Sequence, residues 1–215
     1  MSLTTELAEF KKGFLENAPK NIQELMAKAT ETLEATGITK KTPKKGDSLS
    51  SFTLPNHQGN DIALANLLKD GPVVVVFYRG GWCPYCNLEL AAFQKSLADI
   101  TALNASLVAI TPELPDASLS TKEKNTLAFD VLTDKNAEYA KSLGLVFTLP
   151  EELRPIYLSF GIDVESHNGD GQFDLPLAAT FVIAQDGSIA SAFVDTDYTL
   201  RQDPSDVIEV LKSLA

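Results

Sequence analysis

The chain of 215 residues has few of the side chains that hold metals or staple small folds: two cysteines, two histidines, two methionines and one tryptophan. A structural zinc site needs four cysteine or histidine ligands. Cys83 and Cys86 would have to recruit both His57 and His167, and neither histidine lies at a ligand-like spacing. No metal and no cofactor are expected. Positive charge is scarce too: 18 basic against 29 acidic residues give a formal charge of -11. Such a chain has no broad cationic surface to neutralise phosphates, so a nucleic-acid partner is not expected. No apolar run reaches membrane-spanning length, and the opening MSLTTELAEFKKGFL carries acids and lysines where a secretion signal needs an unbroken apolar stretch. The expectation is a soluble, cytoplasmic protein. Walker and G-x-G-x-x-G motifs are missing. SHNGDG resembles half of a calcium loop, but Leu177 stands where its bidentate glutamate is due. His57, in PNHQGN, reads as a solvated turn residue, and two loop histidines give no basis for a Ser/His/Asp constellation.

What is present describes an ordinary core. With 44% hydrophobic residues, a chain of this size buries roughly 70% of its unfolded surface and needs no covalent staple. The cysteines are free for chemistry. Residues 1–38 read as an N-terminal helical extension. One apolar stripe runs through Leu3, Leu7, Phe10 and Phe14, and a second through Ile22, Leu25, Met26, Ala29 and Leu33, with Pro19 between them. Two such helices must dock on the main domain or on another subunit, which leaves room for a homodimer. The basic segment TKKTPKKGD, 39–47, reads as a boundary. From 46 to 215 strands alternate with helices. VVVVFY is a strand covered on both faces, SLVAIT and FDVLT are further strands, and AATFVIA and SIASAFV flank QDG as a hairpin. Asp203 and Pro204 open a last helix. This order predicts a mixed α/β sheet. An insertion near 145–176 reads as a short helical stretch followed by a turn-rich loop, ESHNGDGQFD.

The chemistry concentrates in FYRGGWCPYC, residues 77–86. Gly80 and Gly81 turn the chain from strand to helix, which puts Cys83 at the helix N-cap, Pro84 at the first helical position and Cys86 two residues further on. An N-cap side chain accepts a backbone N–H bond and feels the positive end of the helix dipole, so a Cys83 thiolate is expected to be favoured. Residues three apart on a helix lie close enough for a disulfide. Arg79 is a candidate source of nearby positive charge. Redox chemistry therefore outranks zinc binding and inert packing as the reading of this pair.

With the motif in place, residues from about 46 to 215 resemble the thioredoxin-fold peroxiredoxins of the alkyl hydroperoxide reductase and thiol-specific antioxidant group. Phe77 and Tyr78 match the family's Phe-Tyr-Pro, Cys86 takes the peroxidatic position, and Glu89 and Phe93 complete its C-x-x-E-x-x-x-F helix. Leu127, Phe129, Leu132, Asp134, Ala140 and Gly144 keep the register of a later segment. The resemblance implies a thioredoxin-like fold of peroxiredoxin type, a central mixed sheet with flanking helices. The family proline is Arg79 here, the family threonine is Cys83, and the arginine that usually precedes the F-x-I strand falls at Ala178. WCPYC, with Trp82, Pro84 and Tyr85 around the cysteines, also resembles the active sites of thioredoxins and glutaredoxins. The expected function is a thiol peroxidase that reduces hydrogen peroxide or organic hydroperoxides through a Cys83–Cys86 disulfide, with thioredoxin or a low-molecular-weight thiol as reductant. Family position makes Cys86 the attacker and N-cap electrostatics make it Cys83. The rivals are a thioredoxin-like thiol-disulfide oxidoreductase and a non-enzymatic redox sensor or scaffold.

Overall fold

The computed structural model describes residues 2–214. Two helices lead, α1 (Leu3–Asn17) and α2 (Lys20–Ala35), broken at Ala18 and Pro19 as expected. A small hairpin of β1 (Thr53–Pro55) and β2 (Asp61–Ala63) and a single helical turn, α3 (Leu64–Leu67), precede the central strand β3 (Val73–Phe77). Then come α4 (Pro84–Lys95), α5 (Leu97–Thr101), β4 (Ser106–Thr111), α6 (Pro115–Lys124), β5 (Asp130–Thr133) and α7 (Glu138–Ser142). The insertion holds β6 (Val146–Thr148), α8 (Arg154–Ser159), α9 (Val164–Asn168) and β7 (Asp174–Pro176). The hairpin β8 (Ala178–Ile183) and β9 (Ile189–Asp195) and the helix α10 (Pro204–Lys212) complete the order.

The main sheet has the order β5-β4-β3-β8-β9. β3 runs parallel to β4 and antiparallel to β8, which is the mixed sheet that the strand order predicted. Every residue of β3 is buried because successive side chains alternate between two covered faces. Val74 and Val76 join one core with α4, α10 and both cysteines, while Val73, Val75 and Phe77 join a second core with Phe52, Leu64 and Phe181. The first face carries the chemistry.

Leu3 and Leu7 of α1 are buried in the cysteine-containing core, so the first amphipathic stripe docks on its own chain. The stripe is shorter than expected, since Phe10 is 42% exposed. Leu25, Met26 and Ala29 of α2 pack against Leu149, Leu153 and Tyr157 of the insertion. That insertion is more ordered than its composition predicts: the turn-rich loop contains α9, started by an N-cap bond from Ser166 N to Asp163 Oδ1, and β6 and β7 pair at its base. Isolated apolar residues such as Val164 and Leu175 show no period in the sequence, yet both are buried in one cluster with Leu149, Leu153 and Tyr157. Asp203 caps α10 as expected, accepting from Ser205 N at 3.1 Å.

Leu7→Ala removes a buried side chain between α1 and the dithiol face. It is expected to lower the unfolding free energy by about 2–5 kcal/mol, read from the urea midpoint at constant slope.

Candidate active site

The turn from β3 to α4 is built from close backbone approaches. A Cβ on Gly81 would lie 1.9 Å from Thr121 Oγ1, and one on Gly80 would lie 2.2 Å from Trp82 Nε1, so only glycine fits either position. Cys83 N donates to Gly80 O at 3.0 Å, and Asn87 Nδ2 donates to Gly81 O at 2.7 Å. The result places Cys83 at the N-cap of α4, Pro84 at its first position and Cys86 in its first turn, as the spacing predicts. One detail differs. The Cys83 side chain makes no capping bond to the helix backbone; Arg79 Nη2 donates to its sulfur at 3.1 Å instead.

Both cysteines are free and fully buried. A cation stands beside each. Arg79, 4% exposed, also donates from Nη1 to Tyr157 Oη at 3.1 Å, and its guanidinium lies over the Tyr198 ring at 4.1 Å and the Trp82 ring at 5.1 Å. Among the described residues no carboxylate is a hydrogen-bond partner of Arg79. Arg201, in the loop before α10, donates from Nε to Glu89 Oε2 at 2.7 Å and from Nη2 to Cys86 Sγ at 3.4 Å. Backbone carbonyls of Tyr198 and Leu200 take its Nη1. Ala178 brings no charge to the site, and the cation beside Cys86 is Arg201. No sequence pattern marks it, because it lies 115 positions from Cys86 in an irregular loop.

These charges separate the two thiols. Burial pushes the Cys83 thiol up, but the hydrogen bond from Cys86 and the charges of Arg79 and Arg201 outweigh it and hold Cys83 well below the ordinary thiol range. Burial also pushes Cys86 up, and there the bond to Cys83 and the neighbouring thiolate charge add to it, so Cys86 stays protonated. Burial works against the Arg79 charge, and the Cys83 thiolate reverses that effect. Burial raises Glu89 to about 8 against the pull of Arg201. A neutral Glu89 still accepts the Arg201 Nε–H bond and leaves that arginine's charge to act on sulfur.

A second network went unread in the sequence. Glu113, fully buried just after β4, accepts from Gly81 N at 2.9 Å and from Tyr78 Oη at 3.3 Å. His167 Nδ1 lies 2.9 Å from its Oε1. His167 belongs to α9, so the histidine that reads as a loop residue ties the insertion to the active-site turn, with its side chain 32% exposed. His57 departs from expectation as well: it is half-buried, and its Nδ1 has no partner. Of the supporting residues, Tyr85 is buried against Phe10 at 5.0 Å and Tyr198 at 5.5 Å. Trp82 packs edge-on to Tyr157, and Pro84 is exposed at the helix start. Among the described residues no group of three or more His, Cys, Asp or Glu is placed to hold a metal ion, and no helix is long and apolar enough to cross a membrane.

Residues 45–192 match the model of the AhpC/TSA family. The chain belongs to that family. A Mycobacterium tuberculosis protein provisionally named a peroxiredoxin, Rv2521, is 31% identical over 109 residues, covering 51% of this chain and 68% of its own. Peroxiredoxin bcp1 of Schizosaccharomyces pombe is 23% identical over 146 residues, covering 60% of this chain and 75% of its own. Among solved structures, the peroxidoxin BcpB of Mycobacterium tuberculosis superposes with a TM-score of 0.63 at 22% identity, covering 80% of this chain and 98% of that one. The fold of this AhpC/TSA protein is thioredoxin-like and of peroxiredoxin type, with N-terminal helices added.

Two outcomes test the electrostatics. As pH rises through about 8, Glu89 ionises and cancels the Arg201 charge beside the sulfurs. Oxidation of the dithiol by hydrogen peroxide is therefore expected to slow along an alkaline limb, and Glu89→Gln to remove that limb from the pH profile. Glu113→Ala leaves Gly81 N–H and the Tyr78 hydroxyl without an acceptor, at about 1–3 kcal/mol each. It is expected to slow iodoacetamide alkylation of Cys83 about tenfold by loosening the turn, with urea denaturation measuring the stability loss.

Proposed function

We propose that this protein is a thiol peroxidase in which Cys83 attacks and Cys86 resolves. The observation that carries the assignment is the 3.1 Å contact between the Arg79 guanidinium and Cys83 Sγ at a helix N-cap. The nucleophile in such chemistry is the thiolate, and the thiol stabilised as a thiolate is Cys83. Two further facts support the order. Arg79 lines two clefts of about 300 and 370 Å³, so a substrate entering by either meets the guanidinium that donates to Cys83 Sγ. Cys86 lies in the first turn of α4, beside Arg201, which Glu89 holds.

The reaction balances without a cofactor. The Cys83 thiolate attacks the terminal oxygen of a hydroperoxide, a sulfur–oxygen bond forms and the O–O bond breaks. The leaving oxygen departs as an alkoxide or hydroxide, which the Arg79 guanidinium is placed to stabilise, and takes a proton from water. Cys83 is then a sulfenic acid. Cys86 attacks it, the S–S bond closes and water leaves. Two external thiol groups, from one dithiol or two monothiols, return two electrons to the disulfide and leave joined as a disulfide themselves. The pair spans one helical turn, so the disulfide closes within the first turn of α4.

The family position of Cys86 and its 3.4 Å contact with Arg201 favour the reverse order, and one experiment separates the two. Stopped-flow oxidation by hydrogen peroxide, followed through Trp82, is expected to remain fast in Cys86→Ser and to fall at least 100-fold in Cys83→Ser. A dimedone adduct should form on Cys83 of the Cys86→Ser protein. Fast oxidation in Cys83→Ser alone reverses the assignment, and oxidation no faster than free cysteine in all three proteins removes the peroxidase reading in favour of disulfide exchange. The two helical stripes no longer argue for a homodimer, because Leu3 and Leu7 and also Leu25, Met26 and Ala29 pack within their own chain. A reducing compartment is the setting in which this dithiol cycle operates.

A further inference from the structure

We propose that oxidation of the Cys83–Cys86 pair turns the aromatic cleft beside Arg79 into a binding site for a small monocarboxylate with an apolar body. The proposal rests on the dithiol–disulfide cycle above, and not on which oxidant drives it.

Charge balance at Arg79 depends on one sulfur. The arginine is buried, and its hydrogen bonds run to Tyr157 Oη and Cys83 Sγ. With Cys83 a thiolate, one negative charge faces one positive charge. Closing the disulfide removes two electrons from the sulfurs and the proton from Cys86, so a thiolate and a thiol become an uncharged S–S bond. The guanidinium keeps its charge. A buried cation left without an anion is costly, and an anion taken from solution restores the balance. Arg201 does not compete for that anion, because Glu89 Oε2 and the carbonyls of Tyr198 and Leu200 hold it, and it lines neither cleft around Arg79.

The larger of those clefts has donors in want of acceptors. Its volume is about 370 Å³, within the size range of small-molecule sites, and its wall includes Phe10, Phe160 and Ile162 together with Arg79, Trp82 and Tyr157. Arg79 Nε and Trp82 Nε1 are buried with no hydrogen-bond partner. Tyr157 Oη accepts from Arg79 and keeps its own proton to donate. Buried donors without acceptors carry a free-energy cost that an incoming acceptor relieves. Among the described residues Arg79 is the only charged side chain in this wall, and no Asp or Glu lines it. The ligand has to bring both the acceptors and the negative charge.

The wall sets the rest of the ligand's chemistry. A carboxylate takes a guanidinium through two parallel bonds. One cation matches one negative charge, which disfavours a dianion, and the aromatic side chains favour an apolar body that leaves water with them. Phe10 and Phe160, 42% and 45% exposed, are placed to cover such a body. In the reduced protein the same carboxylate would share Arg79 with the Cys83 thiolate, which sets two like charges on one cation. Binding is thereby tied to oxidation state, and linkage makes the effect reciprocal. Whatever factor oxidation adds to ligand affinity, bound ligand adds to the stability of the disulfide.

Isothermal titration calorimetry with phenylacetate tests this on the full chain in three forms: reduced, oxidised with diamide, and reduced Cys83→Ser/Cys86→Ser, which has lost the thiolate without any oxidation. No peroxide is involved, so inertness toward peroxide does not affect the result. The expected affinity is about tenfold or more higher for the oxidised chain and for the double variant than for the reduced chain. Phenylacetamide, the uncharged isostere, is expected to bind the oxidised chain at least tenfold more weakly, as are acetate and phosphate, which lack the apolar body. Phe160→Glu, at an exposed position on the cleft, should weaken phenylacetate binding about fivefold, with circular dichroism and urea midpoints establishing that each variant folds. In dithiothreitol redox buffers, saturating phenylacetate should shift the pair toward the disulfide by the same factor as the ratio of affinities. Equal affinity for the reduced chain and the folded double variant overturns the proposal, as does phenylacetamide or acetate binding as tightly as phenylacetate, or full affinity in a folded Phe160→Glu. Tight binding by the double variant, with no disulfide formed by diamide, overturns the dithiol cycle and the redox control rather than the site.

Discussion

A guanidinium buried without a carboxylate must find its negative charge elsewhere, and at Arg79 that charge is sulfur. Taking a cation out of water is costly unless a partner of opposite sign accepts its hydrogen bonds. Tyr157 supplies a hydroxyl and two aromatic rings supply their faces, but only Cys83 can carry a full negative charge there. The arginine and the thiolate therefore stabilise each other. The glycine turn, the α4 N-terminus, the Glu113 anchor and the cover of α1 and α2 all bear on keeping that pair 3.1 Å apart and dry.

The two sulfurs give each other their asymmetry. The bond from Cys86 and the charges of Arg79 and Arg201 hold Cys83 low, while burial and the neighbouring Cys83 thiolate hold Cys86 high against the same two arginines. In the proposed order one sulfur serves as the nucleophile, and the other stays protonated until the first has been oxidised. Two thiolates in one dry site would repel each other, and protonation of Cys86 avoids that state. The same dryness that sharpens these electrostatics also seals the sulfurs, and Arg79 is the side chain beside them that faces the clefts.

Much of this is written in local patterns. The β-branched run of β3, the paired glycines, proline at the first position of α4 and the Asp203–Pro204 start of α10 follow from backbone preferences that act over a few residues. The ordered match of Phe77, Tyr78, Cys86, Glu89 and Phe93 to a family pattern is linear as well. Other parts are not. Arg201, Glu113 and His167 are ordinary charged or polar residues in irregular segments, and nothing in their neighbourhoods distinguishes them from solvated side chains. The short helix α9 gave no periodic signal because it is only Val164–Asn168, too brief for a 3.6-residue repeat to register.

The sequence by itself determined the mixed sheet, the placing of two cysteines on the first turn of a helix, and the choice of redox chemistry over metal binding. Those depend on spacing along the chain and on which residue types are scarce. Only the tertiary structure brought Arg79 to Cys83, brought Arg201 to Cys86 and Glu89, and joined the turn to the insertion through a buried glutamate. Coulombic and hydrogen-bond energies depend on distance in space, and residues 78 and 115 positions apart reach the same site only after the chain has folded.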